Sequence, residues 1–146
     1  MSKIIGFTAG EIMLSRKKLI QLALSELPSE TEYLDYKQQI DLASDKGRAK
    51  LIKLIAAMSN SNPQGMSFII VGVTDQKNVI GASFIDDAKL QNAIRGYLES
   101  SPKVRYENVT HDQLPQDKFI GLITIYPENS VCRESKKIWK LCQGST

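Results

Sequence analysis

Histidine, tryptophan and cysteine are nearly missing from this chain: 146 residues hold one His, one Trp and two Cys. Cys132 and Cys142 stand ten positions apart with only His111 for company, so they cannot complete a four-ligand zinc site unaided. In a reducing compartment both read as free thiols. No serine or cysteine has a base near it in sequence that would suggest a nucleophilic triad, and the phosphate-loop pattern GxxxxGK[ST] does not occur. Long apolar runs are missing as well. FIIVG (68–72) and FIGLITIY (119–126) stop far short of the roughly 20 residues that a membrane span needs, and the opening MSKIIGFTAG has no signal-peptide core. The chain therefore reads as cytoplasmic, with no membrane partner.

Neither sign of charge dominates. A formal charge of +3 is well short of a DNA-coating protein, so whole-chain charge leaves nucleic-acid binding open without arguing for it. The distribution says more than the sum. Basic residues gather at Arg16, Lys17 and Lys18, along Lys46, Arg48, Lys50 and Lys53, and again at Arg133, Lys136, Lys137 and Lys140. Such clusters are ordinarily solvated faces, but three of them in one small domain suit phosphate contacts.

What is present is a normal globular composition, 42% hydrophobic and 24% charged, enough for one domain around one core. Thr8 and Glu11 form a capping box ahead of Ile12, Leu19, Ile20, Ala23, Leu24 and Leu27, which predicts a helix within residues 1–28 that packs on the rest. EYLDYK alternates, placing Leu34 and Tyr36 on one strand face and Tyr33, Asp35 and Lys37 on the other. Asp45 is the expected cap of a helix through about Ser59. The turn SNSNPQG follows, and then the near-continuous apolar run MSFIIVGV of a central strand covered on both faces. VIGAS is expected to return as the second strand of a hairpin. Asp86 or Asp87 caps a further helix bearing Leu90, Ile94, Tyr97 and Leu98. VRYENV and KFIGLITIY read as a second hairpin, and KIWKLC as a last strand. Helices mixed with neighbouring strands predict an α+β fold: one domain, a mixed and mostly antiparallel sheet, about three helices.

The stretch SETEYLDYK concentrates acids at Glu30, Glu32 and Asp35. Glu30 and Asp35 are five apart, so on a straight strand they face opposite sides, and a shared site needs a turn between them that PSETE can supply. The plain alternative is that these are solvated carboxylates, with Asp35 and Lys37 on a wet face and Asp75 an ordinary turn residue. Tyr33, Tyr97, Tyr106, Tyr126 and Trp139 sit at core spacing, although any of them could stack on a base.

Several patterns together resemble the AlbA-like domain of the Schlafen type, found in Schlafen proteins and in many bacterial proteins classed as transcriptional regulators. Glu30 stands five positions before DYK (35–37), as in the family's opening pattern. AAMSNSNPQG (56–65) matches its helix end and glycine turn, and FIIVGVTD (68–75) its strand and turn. NVIGAS, GLITIYPENS and KIWKLCQGST resemble its later strands. The similarity covers residues 29–146. Asp35 replaces the usual glutamate, Tyr36 replaces phenylalanine, Gln64 a glycine, and Lys140 stands where arginine is common.

The resemblance implies a domain over 29–146 that binds DNA or RNA through Lys37, Lys46, Arg48, Lys50, Lys53, Arg133, Lys136, Lys137 and Lys140, in a regulatory setting and as a homodimer. A second implication is a metal-dependent endoribonuclease, in which Glu30, Asp35 and Asp75 hold Mg2+ or Mn2+ at a scissile phosphate; Thr74 aligns almost as well as Asp75. A third is a protein-interaction module of a transcriptional regulator.

Overall fold

The computed structural model describes residues 29–98, 102–111 and 114–127. The helix expected within 1–28 and the strand expected at KIWKLC, together with Arg133, Lys136, Lys137 and Lys140, lie outside them. In chain order the described elements are β1 (Leu34–Lys37), α1 (Asp45–Ser61), β2 (Ser67–Val71), α2 (Asp87–Tyr97), β3 (Val104–Val109) and β4 (Ile120–Ile125). They form one α+β domain on a mixed four-stranded sheet in the order β1-β2-β4-β3. β1 runs parallel to β2 with Leu34 opposite Phe68, while β4 lies antiparallel to both β2 and β3. Among the described residues two helices stand where about three were expected, and the expectation of a helix in 1–28 lies outside them.

All five residues of β2 are buried, as its unbroken apolar run requires of a strand covered on both faces. Its alternate side chains feed two cores. Ile69 and Val71 join Ile123 and Ile125 of β4 under both helices, with Ile52 and Ile55 of α1 and Leu90 and Ile94 of α2 fully buried or nearly so. Phe68 and Ile70 point the other way, into a cluster with Leu34, Ile120 and Leu122 against which Tyr36 packs. Leu34 and Tyr36 thus share a face, as their alternation predicts.

The cap of α1 differs from the expectation. Ser44 caps it, its Oγ accepting the Gly47 amide at 3.0 Å, and Asp45 is the first helical residue. Ser44 is itself held by Asp41, whose carboxylate accepts the Ala43 and Ser44 amides and the Ser44 hydroxyl. Asp45 turns instead to Tyr97, whose phenol donates to it at 3.0 Å, and to Arg48. The second cap is as expected: Asp86 accepts the Ala88 amide.

VIGAS is not a returning strand. β2 already has β1 on one side and β4 on the other, so no edge of it remains to pair. The chain instead makes a tight excursion between Gly72 (φ 110) and Gly81 (φ 78), with only isolated bridges from Val73 to Val79 and from Ala82 to Phe119. Both glycines are required. A Cβ on Gly72 would lie 2.8 Å from the Gly81 Cα, and both backbones occupy the left-handed region.

Each outer strand edge is closed by side chains. On β3 the Tyr106 amide donates to Asp87 at 2.8 Å, and the Val104 carbonyl accepts from Gln91 at 2.7 Å. Helix α2 therefore caps part of that edge, which makes it a poorer template for another strand.

Tyr106 is 4% exposed and reaches over β4, where a Cβ on Gly121 would come within 2.1 Å of its hydroxyl. Gly121→Ala is expected to destabilise the protein by about 1–3 kcal/mol through overpacking. Adding Tyr106→Phe, which removes the closest atom, should restore part of that loss; chemical denaturation of the single and double variants measures both.

Candidate functional site

The turn that a shared carboxylate site requires is formed by Thr31 to Leu34. The Thr31 amide donates to the Leu34 carbonyl (2.9 Å), the Leu34 amide donates back, and the Tyr33 amide donates to Thr31 Oγ1. This reversal brings Glu30 alongside β1. Its Oε2 accepts the Tyr36 amide at 3.1 Å, closing the outer edge of the strand.

Glu30 and Asp35 meet there, their carboxyl groups close enough for each to alter the other's affinity for a proton. Two carboxyls can share one hydrogen bond only with a proton between them, and their surroundings decide which keeps it. Burial raises Asp35 to about 6, with Glu30 adding to the rise and Lys37 opposing it. Glu30 is held below the ordinary carboxylate range, first by Asp35 and then by the Tyr36 amide. Below about pH 6 a proton shared by the pair therefore resides on Asp35. Lys37 Nζ lies 3.1 Å from Asp35 Oδ2, with the lysine side chain 45% and the aspartate side chain 18% exposed. Asp35 is thus half-buried, facing Leu54 and Met58 of α1 across a small groove, rather than on a fully wet face. Beside it, burial pushes the Tyr36 phenol up to about 12, Glu30 adding to the effect.

Glu32 is exposed and stands apart from this pair. Asp75 is exposed in the turn that follows Val73, where the Thr74 amide donates to the Asn78 carbonyl and the Lys77 amide donates to that of Thr74. The turn approaches the pair through Lys77, whose charge acts on Glu30. The structure brings together two of the three acids; among the described residues no group of three or more His, Cys, Asp or Glu side chains is placed to hold a metal ion. The two that meet are oxygen donors, the ligand type that Mg2+ and Mn2+ take, and Mg2+ commonly uses one or two carboxylates with water or phosphate oxygens for the rest.

The basic residues divide by role. Lys46, Lys50 and Lys53 are exposed and recur at i, i+4 and i+7, so they line one stripe of α1. Lys37 and Lys50 flank a groove of about 380 Å3 between the end of β1 and α1. Arg48 is occupied internally, donating to the Leu42 and Ala43 carbonyls and pairing with Asp45. Sequence spacing groups Arg48 with its neighbours because a charge run does not disclose which members turn inward. Spacing also misses Asp41, although aspartate followed by serine three residues on, just ahead of a helix, is a local capping signal.

A helix-backed mixed sheet with an acidic edge strand and a lysine stripe beside it defines the protein as a single α+β domain. The family model for Schlafen, AlbA_2 matches residues 30–142, beginning at Glu30 itself, and the chain belongs to that family. Family membership supports a nucleic-acid-related role. Among solved structures, the DIP2311 protein from Corynebacterium diphtheriae is similar in fold, with a TM-score of 0.55 and 19% identity over 84% of this chain. The chain spans 24% of that protein's length. No curated protein matches the sequence. Among the described residues no helix is long and apolar enough to cross a membrane.

Asp35 gives a pH signature. Because its folded value of about 6 exceeds the ordinary 3.8, the folded state holds the proton more tightly. Asp35 thus costs stability as pH rises from about 4 through about 6, and the cost persists above that window. Asp35→Asn, which keeps a donor toward Glu30, is expected to raise stability at pH 7.5 by roughly 1–3 kcal/mol and to change it little at pH 4. Urea denaturation of both proteins across pH 4–8 measures the difference.

Proposed function

We propose that this domain binds nucleic acid through the lysine stripe of α1 and the adjoining end of β1. The observation that carries the proposal is the alignment of Lys46, Lys50 and Lys53 on one exposed face, with Lys37 across the groove from Lys50. Ammonium groups on flexible stems suit a phosphate backbone. They gain affinity by releasing counterions and read little sequence. Their position early in α1 supports the same reading, since cations gain nothing from the helix dipole at that end. Membership of the Schlafen, AlbA_2 family agrees with it. By resemblance, Arg133, Lys136, Lys137 and Lys140 would contact nucleic acid as well. Regulation of transcription and a location in the cytoplasm fit such a domain.

A second reading, divalent-metal-dependent RNA cleavage, is favoured by the Glu30–Asp35 contact. Here the two carboxylates would hold Mg2+ or Mn2+, with Asp75 the third acid by resemblance, and the ion would supply charge stabilisation at a phosphate. Lys37, which pairs with Asp35, would then be positioned to meet the RNA backbone.

Fluorescence anisotropy with labelled RNA and DNA tests the first reading. The affinity should fall steeply with salt. Replacing Lys46, Lys50 and Lys53 together by Gln should flatten the slope of log K against log salt by about 2–3, since each phosphate no longer neutralised removes roughly 0.7–0.9 from it. An absence of binding at low salt would refute the proposal. For the second reading, structured RNA incubated with Mn2+ should be cut by the intact protein and left whole by Asp35→Ala. Cleavage that survives the substitution would exclude this site.

A further inference from the structure

Phe84 is 64% exposed, whereas Phe68, Tyr97 and Tyr106 are each under 5%. An exposed phenylalanine on a loose connection would need no comment. This one is held in place from both sides. Two residues before it, Ala82 exchanges backbone hydrogen bonds with Phe119 at 2.8 and 2.9 Å. One residue after it, Ile85 is gripped by the Asn108 side chain, which accepts the Ile85 amide at 3.0 Å and donates to its carbonyl at 2.7 Å. Phe119 also meets the ring itself, in a T-shaped contact at 5.8 Å and 73°.

The ring stands at the margin of a groove of about 830 Å3 between the connection Gln39–Ala43 and helix α2. Lys89, Asn92 and Gly96 line the groove from α2, and Gln39 lines it from the facing wall. A Cβ on Gly96 would meet nothing within 4 Å, so that part of the helix surface is open to an incoming ligand. Arg48 and Asp41 also border the groove, but both are committed: Arg48 to backbone carbonyls, Asp41 to the turn at Ser44. The exposed cation facing the space is Lys89. Gln39, Ile40 and Asp41 form a wall common to this groove and to the Lys37–Lys50 groove, so the two adjoin along one surface.

From this arrangement we infer that Phe84 is a stacking platform for an unpaired nucleobase, so that the domain prefers single-stranded nucleic acid to duplex. The inference rests on the nucleic-acid reading above and specifies its ligand. A strand whose phosphates follow Lys50 and Lys37 crosses the shared wall into the second groove. There one base lies against Phe84, its edge within the space bordered by Asn92 and Gln39, and Lys89 meets the next phosphate. A ring already fixed by Phe119 and by the bonds at Ala82 and Ile85 loses little freedom on binding. Every base has a π-face, so stacking tolerates any sequence, in keeping with backbone recognition by lysines. A duplex keeps its base faces against one another and offers Phe84 none.

Anisotropy with a single-stranded 12-mer and its duplex, using the intact protein and the variants Phe84→Ala and Phe84→Tyr, tests this. Phe84→Ala should weaken single-strand binding roughly 5- to 150-fold, the factor that about 1–3 kcal/mol of base–aromatic stacking corresponds to. Phe84→Tyr should retain it, and duplex binding should change by less than about twofold in both. An unchanged single-strand affinity in Phe84→Ala, or an equal loss for duplex, overturns the stacking role. If binding then still weakens on substitution of Lys46, Lys50 and Lys53, the nucleic-acid reading stands without it. Failure of the intact protein to bind either ligand at low salt removes both. Phe84 is 64% exposed and lies outside both cores, and thermal denaturation of each variant confirms an intact fold.

Discussion

The outer edge of β1 carries backbone groups that β2 cannot reach, and satisfying them shapes the whole acidic region. An unpaired amide on an edge strand either meets water, recruits another strand or is capped from within. Here the chain folds back at Thr31–Leu34 and offers the Glu30 carboxylate to the Tyr36 amide. Capping this amide is what brings Glu30 to Asp35, because Asp35 precedes Tyr36 on the same strand. The proximity of the two carboxyls is thus a consequence of edge protection. Asp35 then rises to about 6 because it lies on the helix-covered face and shares a proton with a neighbour whose own charge is stabilised by a backbone donor. The opposite edge solves the same problem with Asp87 and Gln91 from α2, and no paired acids arise there, since the helix supplies the caps directly.

Much of this was legible in the chain. The apolar run of β2, the period of two in EYLDYK and the hairpin of VRYENV with KFIGLITIY are each set by burial, which is a local property of side chains, and each occurs where the pattern places it. The need for a turn between Glu30 and Asp35 followed from parity alone. What could not be read was competition. VIGAS has the composition of a strand, yet β2 had no free edge to offer it, and only knowledge that β4 pairs with β2 reveals this. Ser44 and Asp45 are both able caps. The choice fell to Ser44 because Asp41 orients its hydroxyl and because Tyr97, 52 positions away from Asp45, claims the aspartate. Arg48 leaves the basic cluster for the same reason: its partners are carbonyls of the preceding loop, which charge spacing does not report.

These competitions also separate the exposed lysines from charged residues committed to structure. Asp41, Asp45 and Arg48 lie close in sequence to Lys46 and Lys50, yet they knit the entry of α1 to the preceding loop and to α2. That knitting anchors the first turn of the helix on which Lys46, Lys50 and Lys53 stand. Lysines four and then three residues apart on a helix project from one face at intervals of about one turn, roughly 4.5–6 Å along the axis. The anchoring residues therefore support the helix that carries this positive stripe.

The acidic pair and the lysine stripe are neighbours, and their relation constrains both readings of function. Lys37 belongs to each, paired with Asp35 yet flanking the groove with Lys50. A phosphate arriving at Lys37 competes with Asp35 for the ammonium group, and a carboxylate that loses its cation in a half-buried position holds its proton more firmly. Phosphate binding at Lys37 and protonation at Asp35 are therefore coupled in sign, each favouring the other. A divalent ion acts in the opposite direction, since it binds the carboxylates only when Asp35 has released its proton and so lowers its affinity for that proton. Nucleic-acid contact without metal and metal-assisted chemistry thus make opposite demands on one proton, the one shared between Glu30 and Asp35.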